Sequence, residues 1–268
     1  MSAPAATGTA PALVQAHGLT KHFGTIRAVE DVTLEIGRGE IVAIVGDNGA
    51  GKSTLIKMLS GAVEPDDGEI AIEGAPVKLQ SPLDARRLGI EAIYQDLALA
   101  PNLDVITNLY LGRERKLDGL LGRIGFLGRG EMRREAQRHL AELHITIPRI
   151  AGTPVQALSG GQRQSVAVAR GMIWASKLIL MDEPTAALGV AQSRAVLDLA
   201  QRVRERGTSV VIISHILPHV LEIADRLIVM RHGHKVGDLP AADVTQDRLI
   251  RLIVGFEGGT EEDAIERR

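Results

Sequence analysis

The stretch Gly46-Asp47-Asn48-Gly49-Ala50-Gly51-Lys52-Ser53-Thr54 combines backbone-permissive glycines, one lysine and two adjacent hydroxyls at fixed spacing. It follows the apolar run Ile41-Val42-Ala43-Ile44-Val45 and leads into Leu55-Ile56-Lys57-Met58-Leu59, so it reads as strand, glycine-rich turn and helix. In that context G-x-x-x-x-G-K-[ST] is a phosphate cradle. The loop turns its N–H groups inward, the new helix adds the positive end of its dipole, and Lys52 adds a full charge. Ser53 offers a hydroxyl to Mg²⁺. The pattern predicts a nucleoside triphosphate site.

Further residues suit the same chemistry. Lys177-Leu178-Ile179-Leu180-Met181 is a run fit for a strand buried on both faces, and it ends in Asp182-Glu183-Pro184. Beside a phosphate loop, Asp182 is expected to hold Mg²⁺ and Glu183 to polarise an attacking water as general base. The bland alternative is an acidic helix start with Pro184 in its first turn. Val210-Val211-Ile212-Ile213-Ser214-His215 repeats the design, and His215 is expected to sense the γ-phosphate. Gln95 ends the strand-like Gly89-Ile90-Glu91-Ala92-Ile93-Tyr94-Gln95; it either caps that strand or turns its carbonyl to Mg²⁺ or the water. In Leu158-Ser159-Gly160-Gly161-Gln162, Ser159 and Gln162 fit a capping box, while the bare glycines leave a second helix N-terminus open to phosphate. The two readings are compatible. Phe23, in Lys21-His22-Phe23-Gly24, is either core or a base-stacking platform.

These positions imply a scaffold. Residues 12–40 alternate in short segments punctuated by Gly24, Gly37 and Gly39 and predict a mostly antiparallel sheet. Glu69-Ile70-Ala71-Ile72-Glu73-Gly74 reads as a short, edge-like strand, and Arg226-Leu227-Ile228-Val229-Met230 as the last strand, turning at Arg231-His232-Gly233-His234. From 96 to about 173 the pattern becomes helical, with Met132, Ala136, Leu140 and Leu143 at helical spacing after an Arg/Gly-rich insert at 112–130. That insert is expected to be solvated surface rather than a nucleic-acid contact.

Composition narrows the class. With 268 residues the chain is one large domain, or one with a subdomain. Apolar content is 45% but aromatics only 2%, so the core must be aliphatic. A net charge of -2 argues against general polyanion binding, and no nucleic-acid partner is expected. The lack of cysteine fits a reducing compartment and removes thiolate metal sites. Residues 1–11 and 258–268 read as loose tails, the first without signal-peptide character. No run nears the roughly 18 apolar residues of a membrane span, so work at a membrane would need a partner.

Together these residues resemble the ATP-binding subunit of ABC transporters, over nearly the whole chain (12–257, with a helical subdomain at about 96–173). Residues 46–54 look like Walker A, Gln95 like the Q-loop and 158–162 like the family signature. Lys177 to Glu183 look like Walker B with the catalytic glutamate, His215 like the switch histidine and Phe23 like the adenine-stacking aromatic. The resemblance implies a P-loop NTPase of mixed α/β architecture, with an antiparallel subdomain and a helical one, using ATP and Mg²⁺. It also implies a head-to-tail homodimer in which Ser159, Gly160, Gly161 and Gln162 of one copy close on ATP held by the other. A membrane permease would dock on the helical insert at the cytoplasmic face of the inner membrane. Pro184-Thr185-Ala186-Ala187-Leu188-Gly189 departs from the pattern by placing glycine where many ABC proteins have aspartate. With the other local patterns this resembles bacterial monosaccharide importers of the ribose, xylose and fructose type, which add an external sugar-binding protein. A branched-chain amino acid importer and a non-transport ABC ATPase are the alternatives.

Overall fold

The computed structural model describes residues 12–142, 144–147, 149–186 and 188–256. Both expected tails and Leu143 lie outside these residues. Two sheets share the work. The first takes β1 (Val14–Phe23) and β2 (Ile26–Ile36). The second begins with β3 (Ile41–Gly46), which runs through the glycine loop into α1 (Lys52–Leu59). The chain returns to the first sheet as β4 (Asp67–Ile72) and β5 (Ala75–Val77), then passes α2 (Pro82–Arg87) to β6 (Ile90–Ile93). Between β6 and the next strand lie α3 (Val105–Tyr110), α4 (Leu120–Arg123), α5 (Arg129–Glu142) and α6 (Gly160–Trp174). Then come β7 (Leu178–Asp182), α7 (Val190–Glu205), β8 (Ser209–Ile213), α8 (Leu217–Ile223), β9 (Arg226–Arg231), β10 (His234–Pro240) and α9 (Gln246–Val254).

The antiparallel sheet has the order β2-β1-β4-β5, and the other has the order β10-β9-β3-β8-β7-β6, parallel except for the β9–β10 pair. Two expectations are corrected. The strand at 67–72 is internal, pairing with β1 on one side and β5 on the other. The edge is β5, where Pro76 lacks an N–H to donate, as an edge tolerates. The strand at 226–231 is not the last, since β10 folds back on it and occupies that edge of the larger sheet.

Apolar runs without alternation are explained by what covers this sheet. In β3, Ile41, Ala43 and Val45 face one core, shared with α5, α6, α7 and α9, while Val42 and Ile44 face the other. That second core is filled by α1 and the antiparallel sheet. Ile179 and Met181 of β7 alternate with Leu178 and Leu180 in the same way, as do Val210 and Ile212 of β8 with Val211 and Ile213. A strand covered on both faces needs aliphatic residues at every position, and fully burying each Val, Leu or Ile contributes about 1.5–3 kcal/mol. The central strands therefore hold their C-terminal ends rigidly in one row, where the loops that follow carry the chemistry.

Candidate active site

The glycine loop leaves β3 in a conformation that larger residues could not take. Gly46 and Gly51 have φ of 153° and 99°, and a Cβ on them would stand 2.2 Å from the Met230 carbonyl oxygen and 2.3 Å from that of Ala28. Substitution there meets backbone rather than a yielding side chain. The loop is also braced from outside: the Gly233 N–H, in the β9–β10 turn, donates to the Ala50 carbonyl at 3.2 Å, and the Gly233 carbonyl accepts from Glu30. Lys52 opens α1 and is buried, with Nζ donating to the Gly46 and Asp47 carbonyls at 2.9 and 2.7 Å. Burial lowers its pKa, and Glu183, Asp47 and Asp182 act in the opposite direction. The ammonium is thus held by loop carbonyls, which an anion entering the loop could replace.

Ser53, one residue on, donates its hydroxyl to Asp182 Oδ1 at 3.0 Å across 129 residues of sequence. Asp182 ends β7 and is buried. Burial raises its pKa and nearby Glu183 pushes the same way, against the Ser53 hydrogen bond. A buried carboxylate beside a hydroxyl is a pair of hard oxygen donors, which suits Mg²⁺.

Glu183 follows with φ at 50°, in the left-handed region that costs a residue with a side chain roughly 1 kcal/mol or more. Its N–H donates to the Ile213 carbonyl at 3.1 Å, and the Ala186 N–H donates back to the Glu183 carbonyl. Gln164 of α6 fixes the next residue, donating Nε2 to the Pro184 carbonyl at 2.6 Å. The strain turns the carboxylate out of the strand direction, so that Oε2 lies 3.6 Å from His215 Nδ1. The acidic pair is therefore not a helix start: α7 begins at Val190, and Pro184 lies in the turn before it.

A cleft of about 420 Å³ opens on these groups, lined by Gly46, Asp47, Asn48, Glu183, Ser214, His215, Leu217, Ile250 and Ile253. The two isoleucines belong to α9 and were missed at the sequence level. Their signal was present, since Leu249 and Leu252 are buried while Ile250 and Ile253 sit one residue further round the helix.

The remaining predicted residues stand elsewhere. Gln95 is exposed two residues beyond β6, and among the described residues it makes no hydrogen bond to this cluster. Phe23 ends β1 half-exposed, with Lys21 Nζ 5.8 Å from its ring centre, which leaves its core reading unsupported. Ser159 caps α6 in a full capping box: the Gln162 N–H donates to Ser159 Oγ at 3.3 Å, and the Ser159 N–H donates to Gln162 Oε1 at 3.0 Å. Gly160 and Gly161 share that helix start, outside the cleft.

Comparison with known proteins shows the family and the fold. The family model described as ABC transporter matches residues 29–186. The chain belongs to the ABC transporter family. The fructose import ATP-binding protein FrcA of Rhizobium meliloti is 45% identical over 244 residues, 91% of this chain and 94% of that protein. The xylose/arabinose import ATP-binding protein XylG of Sulfolobus acidocaldarius is 44% identical, covering 92% of this chain and 96% of its own length. Against the ribose import ATP-binding protein RbsA 1 of Rubrobacter xylanophilus, identity is 42%, but this chain spans only 47% of that protein. Among solved structures, a dimeric ATP-binding cassette in a post-hydrolysis state with ADP and Pi matches with TM-score 0.72 and 27% identity, over 85% of this chain and 98% of that one. A nucleotide-free ATP-binding cassette shares the fold at TM-score 0.75 and 24% identity, over 91% of this chain and 95% of that one.

Seen as an ABC cassette, the chain shows what occupies the neighbourhood of Gly189. That residue precedes α7, and a Cβ on it would come within 2.8 Å of Gln192 Oε1. The Cγ of the same Gln192 lies 2.8 Å from where a Cβ on Gly161 would be. The glycine thus leaves room for an amide over the signature-like glycine. Gln192 carried no mark in the sequence.

Proposed function

We propose that this chain is the ATP-hydrolysing subunit of an ABC importer for a monosaccharide, working as a homodimer on a permease at the cytoplasmic face of the inner membrane. The observation that carries the ATPase reading is the convergence of Lys52, Ser53, Asp182, Glu183 and His215 at one end of the sheet. The 42–45% identity to fructose, xylose/arabinose and ribose import ATP-binding proteins supports the cargo. A sugar-binding protein outside the membrane would be the indirect partner. Among the described residues no helix is long and apolar enough to cross a membrane, so the permease supplies the attachment.

In this reading the loop N–H groups from Asn48 to Ser53 cradle the ATP phosphates, and Lys52 exchanges its two loop carbonyls for phosphate oxygens. Mg²⁺, when bound by Ser53 and Asp182, supplies positive charge against the phosphate oxygens. Gln95 joins them only if the segment beyond β6 moves inward. Glu183 takes a proton from water as the water oxygen bonds to the γ-phosphorus; the bond to the bridging oxygen breaks, and ADP leaves. His215, beside Glu183 in the same cleft, donates to the γ-phosphate. Phe23, on an exposed strand end, stacks on the base.

Ser159, Gly160, Gly161 and Gln162 stand outside the cleft of their own chain, which fits their use on the ATP of a second copy. Two cassettes would then close on two nucleotides and open after hydrolysis. The test is to purify tagged Glu183→Gln from detergent-solubilised membranes with ATP and identify what accompanies it. A polytopic permease and a dimer of this chain support the reading; a monomer under saturating ATP, or ribosomal proteins without a permease, would overturn it.

A further inference from the structure

We infer that the insert between α3 and α5 is a preformed wedge that docks this chain on an anionic bilayer surface. Its backbone is ordered by its own hydrogen bonds. Lys116 and Leu127 form a β-bridge, the Leu117 N–H donates to the Phe126 carbonyl at 2.9 Å, and the Gly128 N–H donates to Arg115 at 2.8 Å. Across the tip, the Phe126 N–H donates to the Leu121 carbonyl at 3.0 Å. Gly122 is packed so tightly on the Leu117 carbonyl oxygen that a Cβ would lie 1.6 Å from it. The base is fastened to the rest of the molecule. Arg113 pairs with buried Glu91 of β6 and stacks 4.8 Å over the Trp174 ring, and Arg115 bonds Glu135 of α5 at 2.7 Å.

A loop so well fixed would be expected to turn its apolar side chains inward. This one does the reverse: Leu120, Leu121, Ile124 and Phe126 are 74, 51, 65 and 57% exposed, and none joins either core. Leu120 and Leu121 lie on α4, Ile124 caps it, and Phe126 follows two residues later. Its charge is also unlike that of the whole. Between 115 and 130 there are four cations, Arg115, Lys116, Arg123 and Arg129, and one carboxylate, Asp118, in a chain whose net charge is -2. Among the described residues, no carboxylate lies within ion-pairing distance of Lys116, Arg123 or Arg129. Exposed apolar side chains in a segment that also carries Lys116 and Arg123 match the interfacial layer of a bilayer, where acyl chains meet anionic headgroups.

Bilayer contact extends the membrane location proposed above, but the test uses the purified full chain alone. Its failure would leave the ATPase and permease reading standing. The chain is sedimented with vesicles of phosphatidylglycerol and phosphatidylethanolamine, and with pure phosphatidylcholine vesicles, at low and high salt. Binding to the anionic vesicles that weakens with salt is expected. The triple variant Leu120→Ser, Ile124→Ser, Phe126→Ser should lower the partition coefficient by about thirtyfold or more, with ATPase activity in solution unchanged. Lys116→Gln with Arg123→Gln should cost about fivefold per cation on anionic vesicles and nothing on neutral ones. Phe126→Trp provides a reading that needs no loss of binding, since the indole it adds should shift its emission to the blue when anionic vesicles are added. Absence of vesicle binding by the unaltered chain, a serine variant that binds as well as it, an emission of the Phe126→Trp variant that vesicles leave unshifted, or binding only to vesicles that contain the permease would overturn the inference.

Discussion

The phosphate end of the larger sheet and the tip at 116–127 break the ordinary rules of burial in opposite senses. At the sheet end, a lysine and a carboxylate are buried, Lys52 and Asp182, within a cluster that also holds Glu183. At the tip, leucines and a phenylalanine are held out in water by a backbone that permits no collapse. Exposed leucines alone mean little, and so does one polar group inside a protein; what informs is each departure fixed in place by surrounding structure. The buried charges lower the stability of the empty protein and prepare it for a charged ligand. The exposed side chains cost solubility and fit an apolar surface. In the readings proposed above, each region is completed by a molecule from outside the chain.

The difference can be broken from either side. The largest effect is expected at Glu183→Gln, which should reduce ATP turnover by about a thousandfold while nucleotide binding persists. Steady-state phosphate release and fluorescent-nucleotide titration separate the two, and retained turnover would move the base elsewhere. Lys52→Ala should weaken ATP binding by about 3 kcal/mol, read in the same titration. Asp182→Asn sharpens the contrast, because its effects on activity and stability should have opposite signs. The folded-state pKa of Asp182 is raised, chiefly by burial, so its carboxylate destabilises the fold once the pH exceeds the ordinary carboxylate range. The asparagine variant should lose hydrolysis yet melt higher at neutral pH, by on the order of 1 kcal/mol, with the gain vanishing as the pH falls toward about 4.

Asp104 provides the ordinary case between these extremes. It caps α3, accepting from the Thr107 N–H and hydroxyl at 2.8 and 2.6 Å and from the Gly152 N–H at 2.9 Å. Burial pushes its pKa up, but those donors outweigh it, and the net shift is downward. Its stabilisation is therefore complete above about pH 4 and lost as the pH falls through the lowered value. Asp104→Ala should cost about 1–2 kcal/mol at pH 7 by thermal melting, and the deficit should shrink in acid. At the other limit, the triple serine variant of the tip should alter stability by no more than about 0.5 kcal/mol in the same experiment. A large loss there would mean that the tip is part of a core after all.

Much of the sheet end could be read from the chain because each part is local. Gly46 to Ser53, Asp182-Glu183 and Ser214-His215 each follow an apolar run of strand length, and each places its polar residue just past the strand. The cap at Ser159 and Gln162 likewise needs only four consecutive residues. The insert at 112–130 is almost wholly exposed, as its arginines and glycines suggested. That a hydrogen-bonded backbone holds its leucines out was not legible, because they show no helical or strand period. The edge-like reading of 69–74 failed because strand neighbours are a non-local matter, and β5 is too short to announce itself.

The sequence alone determined the phosphate loop, the buried character of the central strands and the residue types that end them, since backbone freedom, helix dipole and hydrophobic burial act over a few residues. Tertiary structure decided which ends meet. Ser53 reaches Asp182 because β3 and β7 both flank β8, and Glu183 takes its left-handed turn because the Ile213 carbonyl and Gln164 hold it. The same holds for the α9 isoleucines in the cleft and for Gln192 over Gly161. Such contacts arise from packing between elements distant in sequence, where no local preference of the residues involved records the partner they will meet.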